Sequence, residues 1–174
     1  MEISPLDVDP GLKARRESAL DCSIDRALQV VGTRSAMLLL REAFYGVTRF
    51  DDLTARVGVS EPVAAARLKE LVAHGLLARE PYREPGQRTR HAYRLTEKGT
   101  ELLPVLVALL QWGDRWAPEN GGGPVELTHV GCGEPVCAEL RCAAGHPVNG
   151  PEVHVAPSAA GIVRRRDARR AAAS

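Results

Sequence analysis

Hydrophobic and polar positions along the chain predict a run of short helices, then a hairpin, then one more helix. Asp21 is suited to cap a helix running to about Val31, with Ile24, Leu28 and Val31 on one face, and Gly32 ends it. Thr33 caps the next helix, which runs to about Tyr45. Met37, Leu38, Leu39 and Leu40 make it apolar over most of its circumference, the signature of a buried central helix. Gly46 stops it. A short helix from Phe50 to Arg56 carries Phe50, Leu53 and Val57 at helical spacing and breaks at Gly58. Ser60 is placed to cap a helix over 61–74, where Pro62 is tolerated in the first turn. Stretches 76–82 and 91–95 alternate like strands around a basic loop containing Pro85-Gly86. Thr96 caps a long helix reaching Trp116, with Leu102, Leu103, Leu106, Leu109 and Leu110 in a wide apolar stripe. Pro104 kinks that helix or marks a first turn within it.

Helix, short helix, glycine-centred turn, helix, hairpin is the order of a winged helix-turn-helix. The predicted fold is therefore mainly α with a small β-hairpin wing, plus a small Cys/His-containing C-terminal segment. Residues 1–20 read as an N-terminal arm, 21–118 as the DNA-binding and dimerisation domain and 119–124 as a linker. Residues 125–156 read as a small β-type Cys/His segment and 157–174 as a disordered basic tail. The function follows from geometry. A helix fits the major groove and its first residues reach base edges, while a hairpin tip beside it places arginines against phosphates.

Composition adds detail. Of 174 residues, 44% are apolar and only 4% aromatic, so the core is built from Leu, Val and Ala. Net charge is only +1, yet arginines concentrate at the hairpin (Arg79, Arg83, Arg88, Arg90, Arg94) and in the tail (Arg164 to Arg170). Local basic patches weigh more than the sum when the partner is a polyanion. No apolar run is long enough to span a membrane, and the first residues lack the pattern of an export signal. A cytoplasmic protein without a membrane partner is expected, its four cysteines reduced thiols or metal ligands. No phosphate-binding glycine loop and no catalytic triad stands out, so no enzyme is expected.

Certain segments together resemble the HxlR-type transcriptional regulators. They are Cys22-Ser-Ile-Asp25 through Val31-Gly32, Leu38-Leu39-Leu40-Arg41-Glu42, Arg49-Phe50-Asp51-Asp52-Leu53, Arg67-Leu68-Lys69-Glu70-Leu71 with Gly75-Leu76-Leu77, Tyr93-Arg94-Leu95-Thr96-Glu97-Lys98-Gly99, and Leu103-Pro104-Val105-Leu106 ending in Trp112-Gly113. The resemblance covers Asp21 to about Trp116. It implies a homodimeric winged-helix regulator, and a repressor is expected. Its first and last helices form the dimer interface, and it binds a pseudo-palindromic operator in double-stranded DNA. A small-molecule inducer of unspecified chemistry is a further candidate partner. The chain departs from the family's pattern in having Ser23 where a proline follows the cysteine and Ser35 where an aromatic residue is usual. It also has Pro62, Ala65 and Ala66 where Lys, Thr and Gln often stand.

The candidate DNA contacts are Arg49, Ser60, Glu61, Ala65, Ala66, Arg67 and Lys69 in and before the recognition helix, with Arg88 and Arg90 on the wing. Arg67 either clamps a phosphate or pairs with Glu70 or Asp51. Cys22 is a redox-sensor candidate through the resemblance, against the commoner use of a free cysteine as a small buried residue. His129, Cys132, Cys142 and His146 together supply the four ligands of a Cys2His2 zinc site; no paired Cys-x-x-Cys is present, and the alternative is a tail whose cysteines pack or stay free. Two other readings stand beside operator binding: a winged-helix protein-interaction module, and a metal- or redox-responsive regulator.

Overall fold

The computed structural model describes residues 6–10, 22–83, 85–86, 88–117 and 123–159. In chain order its elements are β1 (Asp7–Val8), α1 (Ser23–Val31), α2 (Arg34–Phe44), α3 (Phe50–Val57), α4 (Glu61–Ala73), β2 (Leu77–Tyr82), β3 (Arg90–Leu95), α5 (Glu97–Thr100), α6 (Leu103–Trp116), a 3-10 turn (Gly150–Glu152) and β4 (His154–Val155). The chain divides into two compact units, at the 18/19 and 138/139 junctions.

The larger unit is the winged helix-turn-helix. Its central helix is α2, which packs against α3, α4, β3 and α6. Leu39 and Leu40 on α2 are fully buried, and Leu53 of α3 and Leu68 and Leu71 of α4 close on them. Leu76 and Leu77 complete this core where the chain enters the wing. Helical spacing accounts for the buried set of α4: Ala64, Leu68 and Leu71 lie on one face, while Pro62, Ala65, Ala66 and Lys69 lie on the other and are exposed.

Two caps behave as their sequence suggests. The Thr33 hydroxyl accepts from the Ala36 amide at 3.2 Å, and Thr96 accepts from Gly99 N–H at 3.0 Å. Two do not. The N-cap position of α1 is held by Cys22, and Asp21 lies outside the described residues. Ser60 stands at the N-cap of α4, but its hydroxyl makes no capping hydrogen bond. The long C-terminal helix is also broken. It stops at Thr100 and restarts at Leu103 with Pro104 in the first turn. Proline has no N–H to donate and its ring crowds the carbonyl four residues back, so the helix cannot run through it.

The wing is an antiparallel hairpin registered from Leu77↔Leu95 to Tyr82↔Arg90. It is pinned to the helical body through the segment before α3. Arg49 bridges Ala92, and the Tyr93 amide donates to the Thr48 carbonyl at 2.8 Å. Past α6, Gln111 holds the chain as it leaves the domain: its amide nitrogen donates to the Val136 carbonyl and its oxygen accepts from the Ala138 amide, both at 2.9 Å.

In the smaller unit β1 pairs in parallel with β4, and His154 Nδ1 meets Asp7 Oδ2 at 2.7 Å. Strand content in 125–156 is slight, with isolated bridges Thr128↔Pro135 and Arg141↔Pro147, and the stretch is shared between the two units. The arginine run Arg164 to Arg170 lies outside the described residues.

Candidate nucleic-acid interface

Helix α4 is presented by the turn before it. Gly58 takes the left-handed conformation, φ 68°, at the end of α3, which a side chain would strain, and lets the chain reverse into α4. The outward face of α4 then begins with Ser60 and Glu61 and continues through Ala65, Ala66 and Lys69, all exposed. Few polar groups lie on it. Arg67 is half-buried and its guanidinium meets Glu70 Oε2 at 2.5 Å, so of the two roles open to it, the intrahelical pair is the one formed in this structure.

The wing arginines have different surroundings. Arg88 is exposed and has no ion pair with another described residue. Arg90, the first residue of β3 and next to the loop of the hairpin, donates from Nη1 to Asp51 Oδ2 at 2.8 Å and so ties the wing to the first turn of α3. Arg94 on the same strand is taken up by Glu80 across the hairpin, also at 2.8 Å. Arg49, at the N-cap of α3, lies over the Tyr82 ring with its guanidinium carbon 5.3 Å from the centroid. Sequence reasoning placed Arg49 and Arg90 among ligand contacts; it had no means of seeing their partners, which come from distant segments.

One charged residue escaped notice. Glu42 of α2 is only 4% exposed, with Arg41 at 2.6 Å and Arg56 of α3 at 3.7 Å. It clamps α2 to α3 from inside and fixes the position of the helix pair that carries α4. Its place within Leu38-Leu39-Leu40-Arg41-Glu42, next to the most buried leucines, was the available signal.

Cys22 is half-buried at the start of α1, and all four cysteines are free thiols. The proposed zinc ligands appear as two pairs. His129 Nδ1 is 3.2 Å from Cys132 Sγ, and Cys142 Sγ is 3.7 Å from His146 Nδ1. Each pair sits in a tight turn closed by a glycine of positive φ, Gly133 in one and Gly145 in the other. Among the described residues no three of His, Cys, Asp and Glu gather as a metal-holding group.

The comparison with known proteins decides the family. Residues 30–121 match the model of the HxlR-like helix-turn-helix proteins. The chain belongs to the HxlR-like helix-turn-helix family. A relative within it, an uncharacterized HTH-type transcriptional regulator of Mycobacterium tuberculosis, is 45% identical over 120 residues, covering 69% of this chain and 75% of its own. The solved structure of PA1607, provisionally described as a transcription factor, superposes with a TM-score of 0.70 at 34% identity, over 79% of this chain and 96% of that one. PA1374 from Pseudomonas aeruginosa, described in the same provisional terms, gives 0.56 at 33% identity over 83% and 99%. These HxlR-like relatives are transcriptional regulators and not enzymes, which agrees with the lack of any catalytic constellation in the sequence. Among the described residues no helix is long and apolar enough to cross a membrane.

Proposed function

We propose that this HxlR-like regulator binds double-stranded DNA as a homodimer on a two-fold operator. The observation that carries the reading is the outward face of α4, left unpacked from Glu61 to Lys69 beside a wing that ends in exposed Arg88. In this reading Ser60 and Glu61 reach base edges, Ala65 and Ala66 touch thymine methyls, and Lys69, Arg88 and Arg49 meet phosphates. Arg67 and Arg90 enter only by exchanging Glu70 and Asp51 for phosphate.

Homodimerisation has its own support. Ile24 and Leu28 on α1 are 70% and 56% exposed, and Leu109, Trp112 and Trp116 on α6 are 53%, 61% and 65% exposed. Apolar faces of this kind on two helices mark a protein partner, and a second copy makes the contact self-complementary. Two copies of α4 then enter major grooves roughly 10 bp apart or a multiple of it. Selection from random duplexes should return a repeat with that spacing and weakly fixed half-sites, since α4 offers no Arg, Asn or Gln near its start. A single unrepeated motif, or a half-site with an invariant guanine, overturns the reading. The same scarcity of donors favours a second reading, a protein-interaction module, and a gel shift without any retarded duplex would select it.

A further inference from the structure

The two Cys–His turns beyond α6 have no part in the DNA-binding reading. They fall in different compact units, yet they are built alike. In the first, His129 Nδ1 lies 3.2 Å from Cys132 Sγ; in the second, Cys142 Sγ lies 3.7 Å from His146 Nδ1. All four side chains are exposed, so neither pair serves the core. The backbone closes both turns. Gly133 N–H donates to the His129 carbonyl at 2.7 Å, and Gly145 N–H to the Cys142 carbonyl at 2.8 Å. In the first turn the imidazole also lies against Gly131, where a Cβ would come within 2.8 Å of the ring's Cε1. The missing side chain at 131 leaves the ring its place beside the thiol.

Zinc–sulfur and zinc–nitrogen bonds of about 2.3 and 2.0 Å at a tetrahedral angle set the two donor atoms about 3.5 Å apart. The two separations seen here fall on either side of that value. A cysteine sulfur with an imidazole nitrogen suits zinc and cations like it, whereas calcium and magnesium want oxygen. We propose that each turn is a separate two-ligand site for a divalent cation of the zinc class. His129 and Cys132 hold one ion, Cys142 and His146 a second, and water or an outside ligand fills the remaining positions. On binding, each thiol gives its proton to solvent as its sulfur bonds the cation, so affinity rises with pH. Two protein ligands in place of the four of a structural site make each ion exchangeable.

Cobalt(II) serves as the probe, titrated into the full chain with its thiols kept reduced and followed by sulfur-to-cobalt charge-transfer absorption. About two ions per chain are expected, one for each S,N pair, displaced by zinc and not by magnesium. Cys132→Ser should abolish one of them and Cys142→Ser the other, while Cys137→Ser, at an exposed thiol outside both pairs, should leave both. His129→Ala should weaken the first site by more than about tenfold, since a lost ligand costs more than a lost outer partner. The substituted side chains are exposed, and circular dichroism verifies that the variants remain helical. Absence of the charge-transfer band overturns the proposal. So does a single ion per chain that either substitution abolishes, which is one site on all four ligands. Equal loss on Cys137→Ser, the mark of indiscriminate thiol binding, overturns it as well.

Discussion

At the scale of single residues, the tertiary contacts of a side chain decide its role more than its type does. Gly99 is an example. Its place in Thr96-Glu97-Lys98-Gly99 looks like a helix start, and nothing local demands glycine there. A Cβ built at Gly99 falls 2.1 Å from the Leu76 carbonyl oxygen, because α5 lies against the strand entry. Backbone cannot step aside as the end of a flexible side chain can. Gly99→Ala should therefore destabilise the domain by about 1–3 kcal/mol, the usual cost of overpacking. Urea unfolding should show a lower midpoint at unchanged slope; an unchanged midpoint would mean that the helix slides without cost. Arg67, Arg90 and Glu42 follow the same logic. Arg67 has two roles open in the sequence, Arg90 is read there as a DNA contact and Glu42 has no role, and in each case the structure supplies an ion-pair partner.

At the scale of elements, the wing is a short hairpin held along β3 and open at its tip. The Thr48–Arg49 segment meets β3 in mid-strand, the Asp51–Arg90 pair holds the last register pair before the loop, and Arg88 stands beyond both. The two arginines should therefore differ when replaced. Arg88→Ala should lower affinity for all duplexes and reduce the log-affinity against log-salt slope by roughly 0.9, the value of one phosphate contact. Arg90→Ala should change the slope less, since part of its charge is already answered by Asp51. Equal slopes for wild type and Arg88→Ala would remove the phosphate role from the tip. The break between α5 and α6 is also an event at this scale. Pro104 signalled it in the sequence, but a kink and a fresh start were both open; the turn at Glu101–Leu102 shows that the helix restarts.

At the scale of the whole molecule, the exposed faces of α1 and α6 point to assembly. Leu106 is packed against the core of its own domain, whereas Leu109 and Trp112 are exposed. Leu109→Glu with Trp112→Glu should give a folded monomer by light scattering at micromolar concentration, with duplex affinity falling as the second half-site is lost. A wild-type protein that is already monomeric there would refute the dimer.

The order of helices, the hairpin and the location of the buried leucines were legible in the sequence, because helical and strand periods and glycine stops are local properties of the chain. The Gly58 turn and the Thr33 cap were legible for the same reason. On α4, Leu68 and Leu71 are buried at helical spacing, but only the structure places Ala64 beside them and leaves Val63 exposed. What only the tertiary structure decided is which charges are spent within the protein. Arg90 meets Asp51 across 39 positions of chain, and Glu42 meets Arg56 between helices. Periodicity tells which side of an element is buried, but an ion pair between segments distant in sequence forms only where packing brings two charges within a few ångströms, and the fall of Coulomb attraction with distance and with water between them makes that placement decisive.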